Sequence, residues 1–127
     1  MRIEHIAIWT QQLETLRIFY EKFFNGRSSS RYTNPKTGFT SYFLSFESGA
    51  RLELMQRPDI ISAVSPAEQM GLAHFAVSLG SEPAVDTLTK QLHEAGYQIV
   101  SQPRTTGDGY YESVALDPDG NRLELTV

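Results

Sequence analysis

Apolar residues recur at three- and four-residue intervals in two stretches of the chain and alternate with polar ones in several others. Leu13, Leu16, Phe19, Tyr20 and Phe23 trace one face of a helix that Asn25-Gly26 can stop, following a first strand over about 2–9. Short strands are expected near 28–33, 39–47 and 51–56. The order then starts again. A strand over about 72–79 precedes Ser81, a suitable helix cap, with Pro83 in the first turn and Val85, Leu88, Leu92 and Ala95 in one stripe before Gly96. Strands near 97–101, 110–116 and 122–127 follow. ESGA at 47–50 and DPDG at 117–120 read as hairpin turns before the last strand of each half.

The two halves match in sequence as well as in order. His5-Ile6-Ala7-Ile8 answers His74-Phe75-Ala76-Val77, 69 positions later, and RLEL at 51–54 returns at 122–125, 71 positions later. Two shared tetrapeptides in the same order at nearly the same offset point to a duplicated unit. The expected fold is therefore α+β: tandem βαβββ modules forming a curved mixed sheet with a concave face. The modules occupy 1–57 and 72–127 of a single domain spanning 1–127, joined by a linker at 58–71 that can hold a short helix.

Strand alternation then assigns faces. Ile6 and Ile8 lie opposite His5, Ala7 and Trp9; Phe75 and Val77 lie opposite His74 and Ala76. Leu52 and Leu54 go beneath the first helix and Glu53 to the other side. Leu123, Leu125 and Glu124 repeat the arrangement. Two imidazoles and two carboxylates thus face the concave side, and a divalent metal satisfies all four. Nitrogen and oxygen donors without sulfur suit Zn, Ni, Co, Mn or Fe. His93 has no counterpart in the first half and is expected to be solvated on the second helix. Trp9, Tyr42, Phe46, Tyr110 and Tyr111 are candidates to line an aromatic hollow.

Composition narrows the partners. With 11 basic and 15 acidic residues the formal charge is −4, and no basic cluster offers a footprint for nucleic acid. No apolar run reaches the ~20 residues a membrane span needs. The chain has no cysteine, which excludes thiolate metal sites and cysteine nucleophiles and agrees with a cytoplasmic location.

"EHIAI" near the start, "LAHFAVSL" at the midpoint and "VALDPDGNRLEL" at the end resemble the vicinal oxygen chelate superfamily. That group includes glyoxalase I, bleomycin-binding proteins and extradiol dioxygenases. The ligand set His5, Glu53, His74 and Glu124 is similar to that of glyoxalase I in its compact bacterial form. The resemblance implies one divalent metal per site: Ni, Co or Zn first, Mn or Fe as alternatives. It further implies a lactoylglutathione lyase type of isomerisation on a hemithioacetal or related α-hydroxycarbonyl compound, through an enediolate. Glu124 would be the main base and Glu53 its pseudo-symmetric partner. Glyoxalase I usually carries an arginine where this chain has Trp9, and an asparagine where it has Arg57. These two residues, with Arg104 and the loop at 107–109, are the candidate substrate contacts. The alternatives are a non-catalytic drug-binding protein and an Fe(II)-dependent extradiol dioxygenase. A homodimer is expected, each metal site taking His5 and Glu53 from one chain and His74 and Glu124 from the other.

Overall fold

The computed structural model describes residues 1–61 and 71–127. It divides into two compact units, Met1–Pro66 and Ala67–Val127. Most of the linker expected at 58–71, with its short helix, lies outside the described residues.

In the first unit, strand β1 (His5–Trp9) leads to helix α1 (Leu13–Phe24) and then to β2 (Arg27–Ser28), β3 (Tyr32–Thr33), β4 (Thr40–Ser45) and β5 (Arg51–Gln56). The sheet order is β1-β5-β4-β2, with β3 also pairing β4. Only β1 and β5 run parallel. The single strand expected near 28–33 is two short pieces, each antiparallel to β4. Helix α1 buries Leu13, Leu16, Phe19, Tyr20 and Phe24. Phe24 takes the inward place expected of Phe23, because it lies one full turn beyond Tyr20. Asn25 ends the helix in the left-handed conformation at φ 53°. Gly26 follows where a Cβ would meet Leu44 Cδ2 at 3.0 Å and the Tyr20 carbonyl at 3.1 Å, so a side chain there would crowd both the sheet and the end of the helix.

In the second unit, β6 (Phe75–Ser78), α2 (Glu82–Glu94), β7 (Ile99–Thr105), β8 (Tyr111–Leu116) and β9 (Arg122–Thr126) give a sheet of order β6-β9-β8-β7. Again the first and last strands are the parallel pair. Ser81 Oγ accepts a 3.4 Å bond from Ala84 N–H, capping α2. At the other end Gly96, at φ 89°, donates to the His93 carbonyl while Tyr97 N–H reaches the Leu92 carbonyl. That is a Schellman closure, and it needs the left-handed residue glycine supplies. Val85, Leu88 and Leu92 are buried as the stripe predicts, but Ala95 is exposed and Thr89 is buried instead. Thr89 can be buried because its hydroxyl bonds the Val85 carbonyl at 2.7 Å and Ser113 Oγ at 2.6 Å. Pro103 is tolerated within β7 because that strand is an edge and its register shifts between Ser101 and Arg104.

The RLEL strands follow their alternation. Leu52, Leu54, Leu123 and Leu125 are all at most 3% exposed, each burial contributing roughly 1.5–3 kcal/mol. Glu53 and Glu124 point away from the helices. Among the described residues no helix is long and apolar enough to cross a membrane.

Candidate metal centre

The parallel pairings hold the same register in both units. Ala7 lies opposite Glu53, and Ala76 lies opposite Glu124. Each histidine sits two residues before its alanine, so its side chain shares the glutamate's face. His5 Nε2 comes to 3.8 Å from Glu53 Oε2, and His74 Nε2 to 3.2 Å from Glu124 Oε2. Two ligand atoms on one zinc-sized ion at 2.0–2.2 Å stand roughly 2.8–3.6 Å apart at right-angle to tetrahedral geometry. The pair in the second unit is at that bite distance, and the first opens slightly beyond it. The imidazole and carboxylate of each pair therefore suit a divalent ion in kind, and the second pair suits one in spacing as well. No group of three histidine, aspartate or glutamate side chains that could hold a metal forms among the described residues. Each unit assembles a pair.

The two pairs have different neighbours. In the first unit His5 Nδ1 contacts Glu4 Oε2 at 2.5 Å. Arg51 holds the other oxygen of Glu4 through Nε at 2.8 Å and Nη2 at 2.5 Å. Hydrogen bonds from His5 and Arg51 hold the Glu4 carboxyl below its ordinary pKa. Phe43, opposite Glu53, meets the His5 ring edge-on at 5.4 Å, and Arg51 lies over Phe43 at 4.2 Å. In the second unit Val114 occupies the place opposite Glu124. Glu112, one step along the same face, adjoins Glu124. Burial and then the Glu124 charge push the Glu112 carboxyl above its ordinary pKa. Arg104, the expected substrate contact, lies across from Glu112 with Nη2 at 3.8 Å from Oε1, its Nη1 donating to Ser101 Oγ at 2.5 Å.

Trp9 and Arg57, expected from sequence as substrate contacts, adjoin each other. The Arg57 guanidinium is 5.3 Å from the Trp9 ring centre and pairs with Asp59 at 2.5 Å. Trp9 also meets Phe39 edge-on at 6.1 Å. Asn34, Thr37, Phe39, Arg57, Pro58 and Asp59 line a hollow of ≈ 530 Å³. The wider aromatic lining requires correction. Tyr42 lies opposite Leu54 on the helix side, its hydroxyl donating to Glu14 at 2.8 Å. Phe46 packs by Gly26 at the end of α1. Tyr111 donates to Asp86 on α2 at 2.7 Å. Tyr42 and Tyr111 obey the alternation of their strands and are thereby turned away from the histidine face, while Phe46 follows the end of β4. The loop at 107–109 is a tight hairpin turn, closed by Thr106 N–H to the Tyr110 carbonyl at 2.8 Å and by the Thr106 hydroxyl on Asp108. His93 is exposed on α2, as expected.

Sequence reasoning missed Glu4, Phe43 and Glu112. Phe43 and Glu112 were readable, since each has the parity of the ligand face once Leu44 and Ser113 are placed beneath the helices.

A sequence profile of the Glyoxalase/Bleomycin resistance protein/Dioxygenase superfamily matches residues 2–125. The chain belongs to this superfamily. Solved structures share the superfamily fold at low identity. Glyoxalase I from Zea mays is 22% identical with a TM-score of 0.79, over 98% of this chain and 44% of its own. The chain thus spans less than half of the maize enzyme. The trypanothione-dependent glyoxalase I of Leishmania major is 21% identical with a TM-score of 0.79, covering 99% of this chain and 86% of that one. A glyoxylase/bleomycin resistance protein/dioxygenase domain from Frankia sp. reaches a TM-score of 0.84 at 16% identity, over 100% and 97% of the two chains. No curated protein matches the chain. Superfamily membership establishes the βαβββ architecture; the reaction must be argued from the site.

Proposed function

We propose that the chain is a metal-dependent lyase/isomerase of the lactoylglutathione lyase type, acting on a hemithioacetal or a related small α-hydroxycarbonyl compound. The observation that carries this reading is the repeated register, which sets a histidine Nε2 beside a glutamate carboxylate in each unit. His5, Glu53, His74 and Glu124 would hold one divalent ion, Ni, Co or Zn. The ion, when bound, supplies Lewis acidity toward two adjacent substrate oxygens. Glu124 takes the proton from one substrate carbon and returns it to the next, with Glu53 as its counterpart. His5 and His74 would hold the ion through Nε2 and move no proton. Trp9 packs the apolar part of the substrate, and Arg57 and Arg104 meet its charged groups.

Because each unit supplies two donors, a complete site needs one unit of each kind. In this reading the protein works in the cytoplasm as a homodimer with two equivalent sites, and modules 1–57 and 72–127 form a single domain. Each site takes His5 and Glu53 from one protomer and His74 and Glu124 from its partner. The turning of Tyr42, Phe46 and Tyr111 toward the helices removes three of the five aromatic residues expected to line a drug-binding hollow. Turnover of methylglyoxal with glutathione or another small thiol, after loading with Ni, Co or Zn, tests the proposal. Absence of turnover with every metal and thiol would contradict it.

A further inference from the structure

We propose that Glu4 is a positioning residue, holding His5 in the tautomer that carries its proton on Nδ1 and leaves the Nε2 lone pair facing Glu53. The inference rests on the metal-centre reading in one respect, that Nε2 is the donor atom. An ionised carboxylate can only accept hydrogen bonds, so the 2.5 Å contact between Glu4 Oε2 and His5 Nδ1 requires the proton on Nδ1. At 3.8 Å Glu53 is too far from Nε2 to draw the proton there. A neutral histidine side chain in water favours the opposite form, so the arrangement reverses the intrinsic preference.

The bracing is built from both ends. Arg51 places Nε and Nη2 on Glu4 Oε1, leaving Oε2 for the imidazole. Arg51 N–H donates to the Glu4 carbonyl at 3.0 Å, tying the main chain of Glu4 to the start of β5. The same guanidinium lies over Phe43, whose ring meets His5 edge-on. Glu4, Arg51, Phe43 and His5 thus form a closed circuit around the back of the imidazole. As an exposed ion pair, Glu4–Arg51 would contribute little to stability; as an orienter of a ligand histidine it affects binding, since such partners typically matter 10–100-fold in metal affinity. The second unit lacks the device. Ala73 precedes His74, and His74 makes no second ion pair or hydrogen bond among the described residues.

Long-range ¹H–¹⁵N correlation spectra of the metal-free protein in alkaline solution read the tautomers directly. His5 is expected in the Nδ1–H form. Glu4→Ala shifts it toward Nε2–H and leaves the His74 signals in place, which also shows that the variant is folded. Ni(II) affinity, measured by competition with a chromophoric chelator, falls about 10-fold or more in Glu4→Ala. An Nε2–H form for His5 in the unmodified protein, or a tautomer unmoved by Glu4→Ala, overturns the proposal. An Nδ1–H tautomer that Glu4→Ala shifts, in a protein that binds no metal, supports the role of Glu4 and overturns the metal reading alone.

Discussion

In the first unit the imidazole–carboxylate pair is braced from behind by Glu4 and Arg51 and stands open at 3.8 Å; in the second it is closer, at 3.2 Å, and flanked by the carboxyl of Glu112. The backbone around both is the same. Ala7 faces Glu53 as Ala76 faces Glu124, and the sheet order repeats from edge to edge. The two units share a hydrogen-bonding frame, which a register slip would destroy by turning every side chain over. The side chains on the ligand face were freer to differ. Phe43 and Ser41 stand where the second unit has Val114 and Glu112. The same frame in each unit therefore carries a differently surrounded imidazole–carboxylate pair.

The sharpest way to break this comparison is to neutralise the glutamates separately. Glu124→Gln should lower kcat about 10²–10⁴-fold, the range for loss of a general base. Glu53→Gln should cost distinctly less. Steady-state kinetics on the metal-loaded protein decide the matter, and equal losses would make the half-sites functionally equivalent.

The shared frame predicts equal damage from equivalent core truncations. Leu54→Ala and Leu125→Ala each remove a side chain with 0% exposure, and each should destabilise the protein by about 2–5 kcal/mol in urea unfolding. A large disparity would show that the units are not packed alike.

Thr89→Val probes a feature of the second unit alone. It strands the Ser113 hydroxyl, which is fully buried against Thr89, and should cost about 1–3 kcal/mol. An unchanged unfolding midpoint would contradict the assigned bond.

The smallest effect belongs to Tyr42→Phe in the first unit. Arg17 and then Tyr42 hydrogen-bond the Glu14 carboxylate and hold its pKa below the ordinary value. A carboxyl depressed on folding stabilises the protein above its unfolded pKa, and the contribution is lost as pH falls through the lowered folded value. Because Glu14 is 47% exposed, removing the Tyr42 bond should cost only about 0.5 kcal/mol near neutral pH. The acid limb of a stability–pH curve should flatten correspondingly.

How far the sequence could be read depended on which rule governed each residue. The RLEL strands were legible because leucines two apart leave the glutamate only one face. The helices were legible from apolar spacing and, in α2, from Ser81 and Gly96. Tyr42 could have been placed beneath α1 from its parity with Leu44. Tyr111 could have been placed likewise from its parity with Ser113, although β8 carries apolar residues on both faces: Val114 and Leu116 on one, Ala115 on the other. Glu4 escaped for a different reason. The strand begins at His5, so alternation does not bind residue 4, and its carboxylate turns back to the imidazole it precedes. The two short strands replacing the expected one near 28–33 have no periodicity long enough to reveal them.

In the proposed function His5, Glu53, His74 and Glu124 are the metal-binding residues. Elemental analysis of protein purified without added metal tests it most directly, with the four single alanine variants and His93→Ala measured alongside. About one divalent ion per chain is expected, largely lost in each of the four variants and retained in His93→Ala. Protein without stoichiometric metal, or His93→Ala as depleted as His74→Ala, would contradict it.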